Sequence, residues 1–473
     1  TWGTARAIQT LPHKITNLWD ASYTTCNPKN PTWRISAAHI HLNNNTGMGS
    51  ASAAVVYFKK MPVMFFPYYR FPIDKKRHTG FLAPSFAYSN QYGANLIWPY
   101  YWNIAPNFDS TITPAWYGKN GFKLDNNFRY LTYNSVGNFY FGFLPYDLNA
   151  AKFSNYLNTT FPNAITGNSK IPRQRWALST DNKITFNDQW NARIRASRVS
   201  DDYYLQDFSV LSSGALDNTL PEDADLYYNS SQWHWHGAVN YTQNLYPANS
   251  SSFGSVNYAR LPEIEGRTDY PYAWHNLGFS ADWQAVYFQQ ISKYPLMTNP
   301  YLSATGGRWH ARPGISLPIN FASATIDPQI LWDATAYTLK SNPNFANSTR
   351  SLPIVDVNNS AYFAASWHLA SWHFLQTFEP DVFYLYIPYK NQDNIPNFDS
   401  YSNPFGYGNL ISLNSYTGYD RIQNANQLSV GITSRTFDAD SGAERTELGL
   451  GFVRYFATRK VGLDPTYTPD DTK

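Results

Sequence analysis

Charge is scarce in this sequence. Asp, Glu, Lys and Arg make up 15 % of the 473 residues, and the formal net charge is +3. No long basic run appears, so a nucleic-acid partner has little electrostatic support. Cysteine is scarcer still, a single residue, Cys26. In an oxidising compartment a lone cysteine points to a partner outside the chain, and in a reducing one it is usually inert. Long apolar runs are missing as well. A membrane-crossing helix needs roughly 18 such residues, and the nearest approach, MPVMFFPYYRFP from Met61, is short and cut by three prolines. No GxSxG, HExxH, CxxC or Gly-rich phosphate loop stands in a convincing context. Carboxylates are too scattered to nominate a hydrolytic pair. We therefore expect no catalytic residue, no cofactor and no nucleotide site. The chain opens Thr-Trp-Gly, with neither methionine nor signal peptide, as expected of a processed or excised product.

Aromatic residues are abundant: 37 Tyr, 30 Phe and 16 Trp, 18 % of the chain. Mean hydropathy is nonetheless −0.46. Apolar and polar residues must be interleaved, the composition of strands with one greasy and one wet face. From Phe81 onward, segments of roughly 9 to 13 residues alternate with period two, about sixteen in all. In GFKLDNNFRYLTY, Phe122, Leu124 and Phe128 share one face, and Lys123, Asp125 and Asn127 the other. Trp190, Ile194, Trp235 and Trp283 likewise oppose Arg193, His236 and Asp282. Convincing amphipathic helices are absent. Tight joins alternate with long polar ones at Asp147–Arg173, Ser200–Asp225, Ser341–Asn359 and Lys390–Gln423, the plan of an outer-membrane β-barrel. A soluble sandwich also alternates; strand length, aromatic strand ends and a polar opposite face favour the barrel. Residues 1–70 differ, with shorter β-like pieces between turns such as NPKNP and NNNTGMG.

Two prolines interrupt the first two long segments, Pro84 in FLAPSFAYS and Pro99 in NLIWPYYWN. Proline cannot donate to a β-ladder and is normally confined to edges, first positions or bulges. The His-x-His pairs His39/His41 and His234/His236 lie on single strand faces, but without a third ligand at set spacing no metal site is expected.

The stretch from Met61 to Phe86 and PYYWNIAPNFDSTIT from Pro99 closely resemble the LptD family of Gram-negative outer-membrane lipopolysaccharide-assembly proteins. Further matches are DASYTTC ending at Cys26, YLYIPY from Tyr384, and Tyr419-Asp420-Arg421-Ile422 leading to Gly431-Ile432-Thr433-Ser434-Arg435. The resemblance implies an all-β chain: the end of a periplasmic β-jellyroll over 1–70, then roughly the first two-thirds of a 26-stranded transmembrane antiparallel barrel over 71–473. It implies a non-enzymatic translocon that places lipopolysaccharide in the outer leaflet, passing it through jellyroll and lumen and out by a lateral gate beside the first strands. The implied partners are lipopolysaccharide, outer-membrane lipid, the plug lipoprotein LptE and the periplasmic bridge protein LptA. Pro84 and Pro99 match the family's gate prolines, although by themselves they need mark no more than bulges. Cys26 matches a cysteine that pairs late in the barrel, with a partner outside this chain. Lys75, Lys76 and Arg77 are candidate contacts for lipid A phosphates where the molecule enters, with a solvated turn as the plainer alternative. A passive porin and a secreted glycan-binding β-protein remain the rival expectations.

Overall fold

The computed structural model describes residues 2–12, 14–27, 29–90, 92–161, 170–208, 218–247, 258–291, 304–340, 345–404 and 406–463. Its first strands are β1 (Trp2–Thr4), β2 (Ala7–Leu11), β3 (Ile15–Thr24), β4 (Trp33–Asn43), β5 (Met48–Phe58) and β6 (Met61–Pro72). They form an antiparallel sheet ordered β1-β3-β4-β5-β6, with β2 also on β3. A small core of Ala37, Ala51 and Ala54 is covered by Ile40, Phe66 and Phe71.

Next come β7 (Gly80–Phe81), β8 (Ser85–Ser89), β9 (Gly93–Ile97), β10 (Tyr100–Ala105), β11 (Phe108–Tyr117), β12 (Gly121–Leu131) and β13 (Ser135–Leu144). Helix α1 (Ala150–Thr160), β14 (Arg175–Thr185), β15 (Trp190–Val199) and helix α2 (Tyr204–Phe208) follow. The later strands are β16 (Thr219–Asn229), β17 (Trp233–Asn244), β18 (Tyr258–Trp274), β19 (Leu277–Gln290), β20 (Gly306–Ser316) and β21 (Ile319–Asn320). They continue with β22 (Ala324–Leu339), β23 (Ser348–Ala361), β24 (Phe363–Leu369), β25 (Trp372–Ile387), β26 (Ala425–Asp438) and β27 (Glu444–Tyr455).

The chain divides into two compact units, one running from β1 to β13 with both helices and the start of β14, the other from β15 to β27. In the second unit each strand pairs antiparallel with the next, β15 through β27, as in an up-and-down wall. Four crossings are each interrupted once (β7/β8, β9/β10, β20/β21, β23/β24), so among the described residues the 21 pieces from β7 to β27 trace 17 crossings. The alternating pattern anticipated about that many.

Burial along these strands is inverted relative to a water-soluble protein. In β12, Phe122 is 44 % exposed while its neighbour Lys123 is 0 % exposed. In β20, Trp309 is 61 % exposed beside a fully buried Arg308. The anticipated faces are those observed. Trp190, Tyr228, Trp235 and Trp283 form a row of ring contacts at 4.9, 6.1 and 6.2 Å. On the opposite face Asp282 accepts from Arg312 at 2.7 and 3.0 Å. Apolar side chains on the exposed face and charges on the sheltered one make sense only where the exterior solvent is hydrocarbon.

Three expectations need correction. Helix α1 lies in a segment read as loop; only Ala150 and Leu157 on it are buried, too few to print a 3.6-residue period. The join expected to run through Asn359 ends earlier, because Ser348–Ala361 is strand β23. There Leu352 and Ile354 are buried on the same face as Arg350 and Asp356, and Pro353 and the two asparagines disguised the alternation. β16 likewise begins at Thr219, inside the join expected through Asp225. Of the long joins, residues 162–169, 209–217, 341–344 and 405 lie outside the described residues.

A charge on the exposed face should therefore be costly in a bilayer. Replacing Ile330, 60 % exposed on β22, with Arg is expected to lower folding stability in lipid vesicles by about 2–4 kcal/mol. Gln329→Arg, on the opposite face of the same strand, should leave it nearly unchanged. Denaturant titration in vesicles measures both.

Candidate functional site

Two places concentrate features that ordinary strand packing does not require. The first is the start of the wall. Phe81 faces Tyr100 across the β7–β10 pair, and Ser85 faces Ile97 across β8–β9. Between those pairs residues 82–84 oppose only 98 and 99, so the ladder bulges where Pro84 and Pro99 sit. Leu82 N–H donates to the Pro99 carbonyl at 2.8 Å, and Trp98 N–H donates to the Pro114 carbonyl at 3.1 Å. In an antiparallel hydrogen-bonded pair each residue offers both groups to the same neighbour. Pro99 therefore withholds a donor from the first crossing, and Pro114, on the third crossing, withholds one from the second. The sequence pattern drew notice to two prolines; register adds the third.

The basic cluster ahead of β7 is partly self-neutralised. Arg77 Nη1 lies 3.1 Å from Asp109 Oδ2, and Asp109 also takes Arg129 at 2.8 and 2.9 Å. His78 Nε2 sits 2.6 Å from Asp74, and that hydrogen bond holds the Asp74 carboxyl below its ordinary range. Lys75 and Lys76 remain exposed. Cys26 is half-buried at the end of the Thr24 turn, its amide bonded to Thr24 Oγ1 at 3.1 Å. Hydrogen bonding at the Trp33 backbone lowers its thiol pKa, which favours the thiolate form used in disulfide exchange. The His-x-His pairs engage other partners: His41 meets Asn17, His39 lies tilted against Trp19 at 5.3 Å, and His236 bridges Asp225 and Glu265 at 2.9 and 3.0 Å. Among the described residues no group of His, Cys, Asp and Glu is arranged to hold a metal.

The second place lies in the unit of later strands, where the segment 388–424 between β25 and β26 packs onto the sheltered face of the sheet. Arg308 of β20 holds it. Its Nη1 donates to Asp399 and Asp420, both at 2.7 Å. Its Nη2 reaches Asp399 at 2.8 Å and Gln284 at 2.7 Å, and its Nε reaches Gln284 at 3.1 Å. All five guanidinium donors are thereby used. Asp420 is satisfied in turn by Tyr337 Oη at 2.9 Å and the Phe398 and Asp399 amides at 2.7 and 3.0 Å. Burial opposes its ionisation, but Arg308 and these donors keep its carboxyl below the usual 3.8. Arg350 of β23 donates to the Tyr419 and Asp420 carbonyls at 2.7 and 2.9 Å. Arg421 donates to the Ile395 and Pro396 carbonyls at 2.8 and 3.1 Å.

Glycines make room for the other end of the segment. A single 3-10 turn, Tyr407–Asn409, rests on β26 and β27. A Cβ on Gly451 would meet Leu410 Cδ1 at 2.2 Å, and one on Gly449 would meet the Tyr407 ring at 3.1 Å. Tyr407 Oη bonds Thr433 at 2.6 Å. Gly418, at φ +63°, lets the chain pass against Asp399. The motif Tyr419-Asp420-Arg421 was visible in the sequence without a role; these contacts supply one.

Breaking one side of a buried ion pair typically costs about 3–5 kcal/mol, because the other charge is left stranded. Asp420→Ala should release segment 388–424 to proteolysis while the strands stay protected. Since Asp420 titrates below its unfolded value while burial raises Asp399 beside it, the share of the anchorage that Asp420 supplies should persist at neutral pH and be lost as pH falls below 3.8. Limited proteolysis against pH reads both.

The profile of the family described as LPS transport system D, LptD, matches residues 173–473. An LPS-assembly protein LptD of Coxiella burnetii is 36 % identical, with 99 % of this chain and 55 % of that protein aligned. Its counterparts in Legionella pneumophila strain Lens and Pseudomonas aeruginosa strain UCBPP-PA14 are 35 % and 34 % identical, covering 98 % and 100 % of this chain and 55 % and 52 % of theirs. The chain thus spans about half the length of these relatives. An anion-selective porin from Comamonas acidovorans aligns with 63 % of this chain and 80 % of its own at TM-score 0.22 and 11 % identity, a likeness with no bearing on the fold.

Proposed function

Because the chain belongs to the LptD family, we propose that it is part of a Gram-negative outer-membrane translocon that assembles lipopolysaccharide into the outer leaflet. Transport, not catalysis, is its task. The inverted burial of the strands supports placement in the outer membrane, with residues 1–70 on the periplasmic side as the end of a jellyroll and 71–473 as barrel wall. Lipopolysaccharide enters from the jellyroll, delivered along the bridge protein LptA. Lys75 and Lys76, exposed before β7, meet its phosphates there, while Arg77 is committed to Asp109. LptE plugs the lumen, and Cys26 forms its disulfide with a cysteine outside this chain.

The observation that carries the exit route is the bulge at Pro84 and Pro99, with Pro114 beside it. A backbone donor missing in lipid has no water to compensate it, so Pro99 and Pro114 each make the parting of adjacent strands easier by about the net worth of a hydrogen bond, 0.5–1.5 kcal/mol, and the bulge at Pro84 interrupts the ladder between them. The first crossings are thus predisposed to part, and an amphiphile with acyl chains in the bilayer and sugars in the lumen leaves sideways beside them.

Restoring donors should close this route. In the purified complex in proteoliposomes, Pro84→Ala with Pro99→Ala is expected to slow lipopolysaccharide delivery by about 2- to 10-fold per restored bond. Each variant should fold normally. Unchanged delivery by the double variant at equal protein levels removes the gate reading, and solute conductance in place of lipid delivery points to a passive channel.

A further inference from the structure

Segment 388–424 does not lie flush against the wall. Between it and β18, β19 and β20 runs a cavity of about 470 Å³, lined by Arg260, Arg312, Asn403, Asn414 and Tyr419 among others. A second cavity of about 430 Å³ adjoins it, lined by Tyr227, His236, Arg267, Trp235 and Trp283 among others. Glu265, Arg312 and Tyr419 line both, so Tyr419 stands at the junction of one extended cleft. Each part falls in the range of small-ligand sites, roughly 300–1,000 Å³.

The lining selects a chemical class. Two of its arginines are closely paired, Arg312 with Asp282 at 2.7 Å and Arg260 with Glu263 and Asp399 at 3.1 and 3.0 Å, while the exposed Arg267 reaches Asp269 only at 3.8 Å. A phosphate must compete with those carboxylates for the guanidinium groups. A hydroxyl-rich ligand bonds to donor and acceptor alike and leaves the ion pairs intact, because each hydroxyl both gives and accepts. Two further groups are ready for it. The Tyr419 hydroxyl and the Asn403 side-chain amide both line the cleft, and neither makes a hydrogen bond among the described residues. Tyr419 is held rigidly to present its phenol: its ring stacks on His310 at 3.9 Å, and Arg350 clamps its carbonyl at 2.7 Å. The Tyr227 ring lies parallel to His236 at 4.5 Å further along.

We propose that this cleft is an oligosaccharide subsite, with Tyr419 and Asn403 as its central contacts and balanced Arg–carboxylate pairs as its walls. The proposal rests on the transport reading, since the ligand it fits is the sugar portion of the transported molecule. Segment 388–424 is then one wall of a binding site, and its anchorage through Asp420 sets the width of the cleft.

The test uses the complete translocon, plug included, and lipid-A-free core oligosaccharide released from rough lipopolysaccharide by mild acid. Binding is titrated by calorimetry for the wild type, Tyr419→Phe and Asn403→Ala, with inorganic phosphate as competitor, and lipopolysaccharide delivery is followed in parallel. Tyr419→Phe removes one hydroxyl and keeps the ring, so the fold is preserved. Oligosaccharide affinity is expected to fall about 2- to 10-fold in each variant, the effect of one lost hydrogen bond, and phosphate should not displace the sugar. Unchanged affinity in both variants, or full displacement by phosphate, overturns the subsite whatever the delivery assay gives. Affinity that falls as expected while the wild type delivers no lipopolysaccharide supports the cleft and removes the transport reading instead.

Discussion

A polypeptide crossing hydrocarbon has only its own neighbours to receive its amide and carbonyl groups. Nearly everything else in this chain follows from that constraint. It makes strands pair side by side in long antiparallel succession, and it lets Phe122, Trp309 and Ile330 face outward where water would penalise them. It also turns a missing donor from a minor irregularity into a place of weakness. In water, the bulge at Pro84 and Pro99 would be covered by solvent; in lipid it is a defect in the backbone ladder that joins adjacent strands.

The sheltered face has the opposite problem. Charges are gathered away from lipid, and many of them are also withdrawn from bulk water. Arg308, Arg350 and Asp420 have essentially no exposed surface. Buried charges persist only when paired and fully hydrogen-bonded. Segment 388–424 supplies much of that satisfaction, giving Asp399, Asp420 and the Tyr419 carbonyl to arginines of the wall. The segment and the strands therefore depend on each other: without it Arg308 loses both its counter-charges, Asp399 and Asp420, while Arg350 keeps Asp333 and Arg260 keeps Glu263, and without these arginines the segment has no reason to stay folded. Where satisfaction is incomplete, as at the Tyr419 hydroxyl, the surface is open to a ligand.

Strength and weakness are thus distributed unevenly. The later strands are bound to an inner segment by a network of short, charge-assisted bonds. The first crossings lose ladder donors at consecutive strands. The chain builds both kinds of region from the same two-faced strand.

Period two was legible in the sequence because it is local: each strand carries its own alternation, and the faces of Phe122, Trp190, Trp283 and Asp282 could be read directly. The prolines were legible for the same reason. Helix α1 was not, since two buried side chains leave no period, and β23 was hidden by Pro353, Asn358 and Asn359. The anchor of segment 388–424 was beyond sequence reasoning in principle. Arg308 and Asp420 lie 112 residues apart, and Arg260 and Asp399 lie 139 apart. Nothing in either neighbourhood encodes the meeting. Alternation is fixed by residues two apart along one strand, whereas an ion pair between strand and loop exists only once register has brought distant segments to the same face.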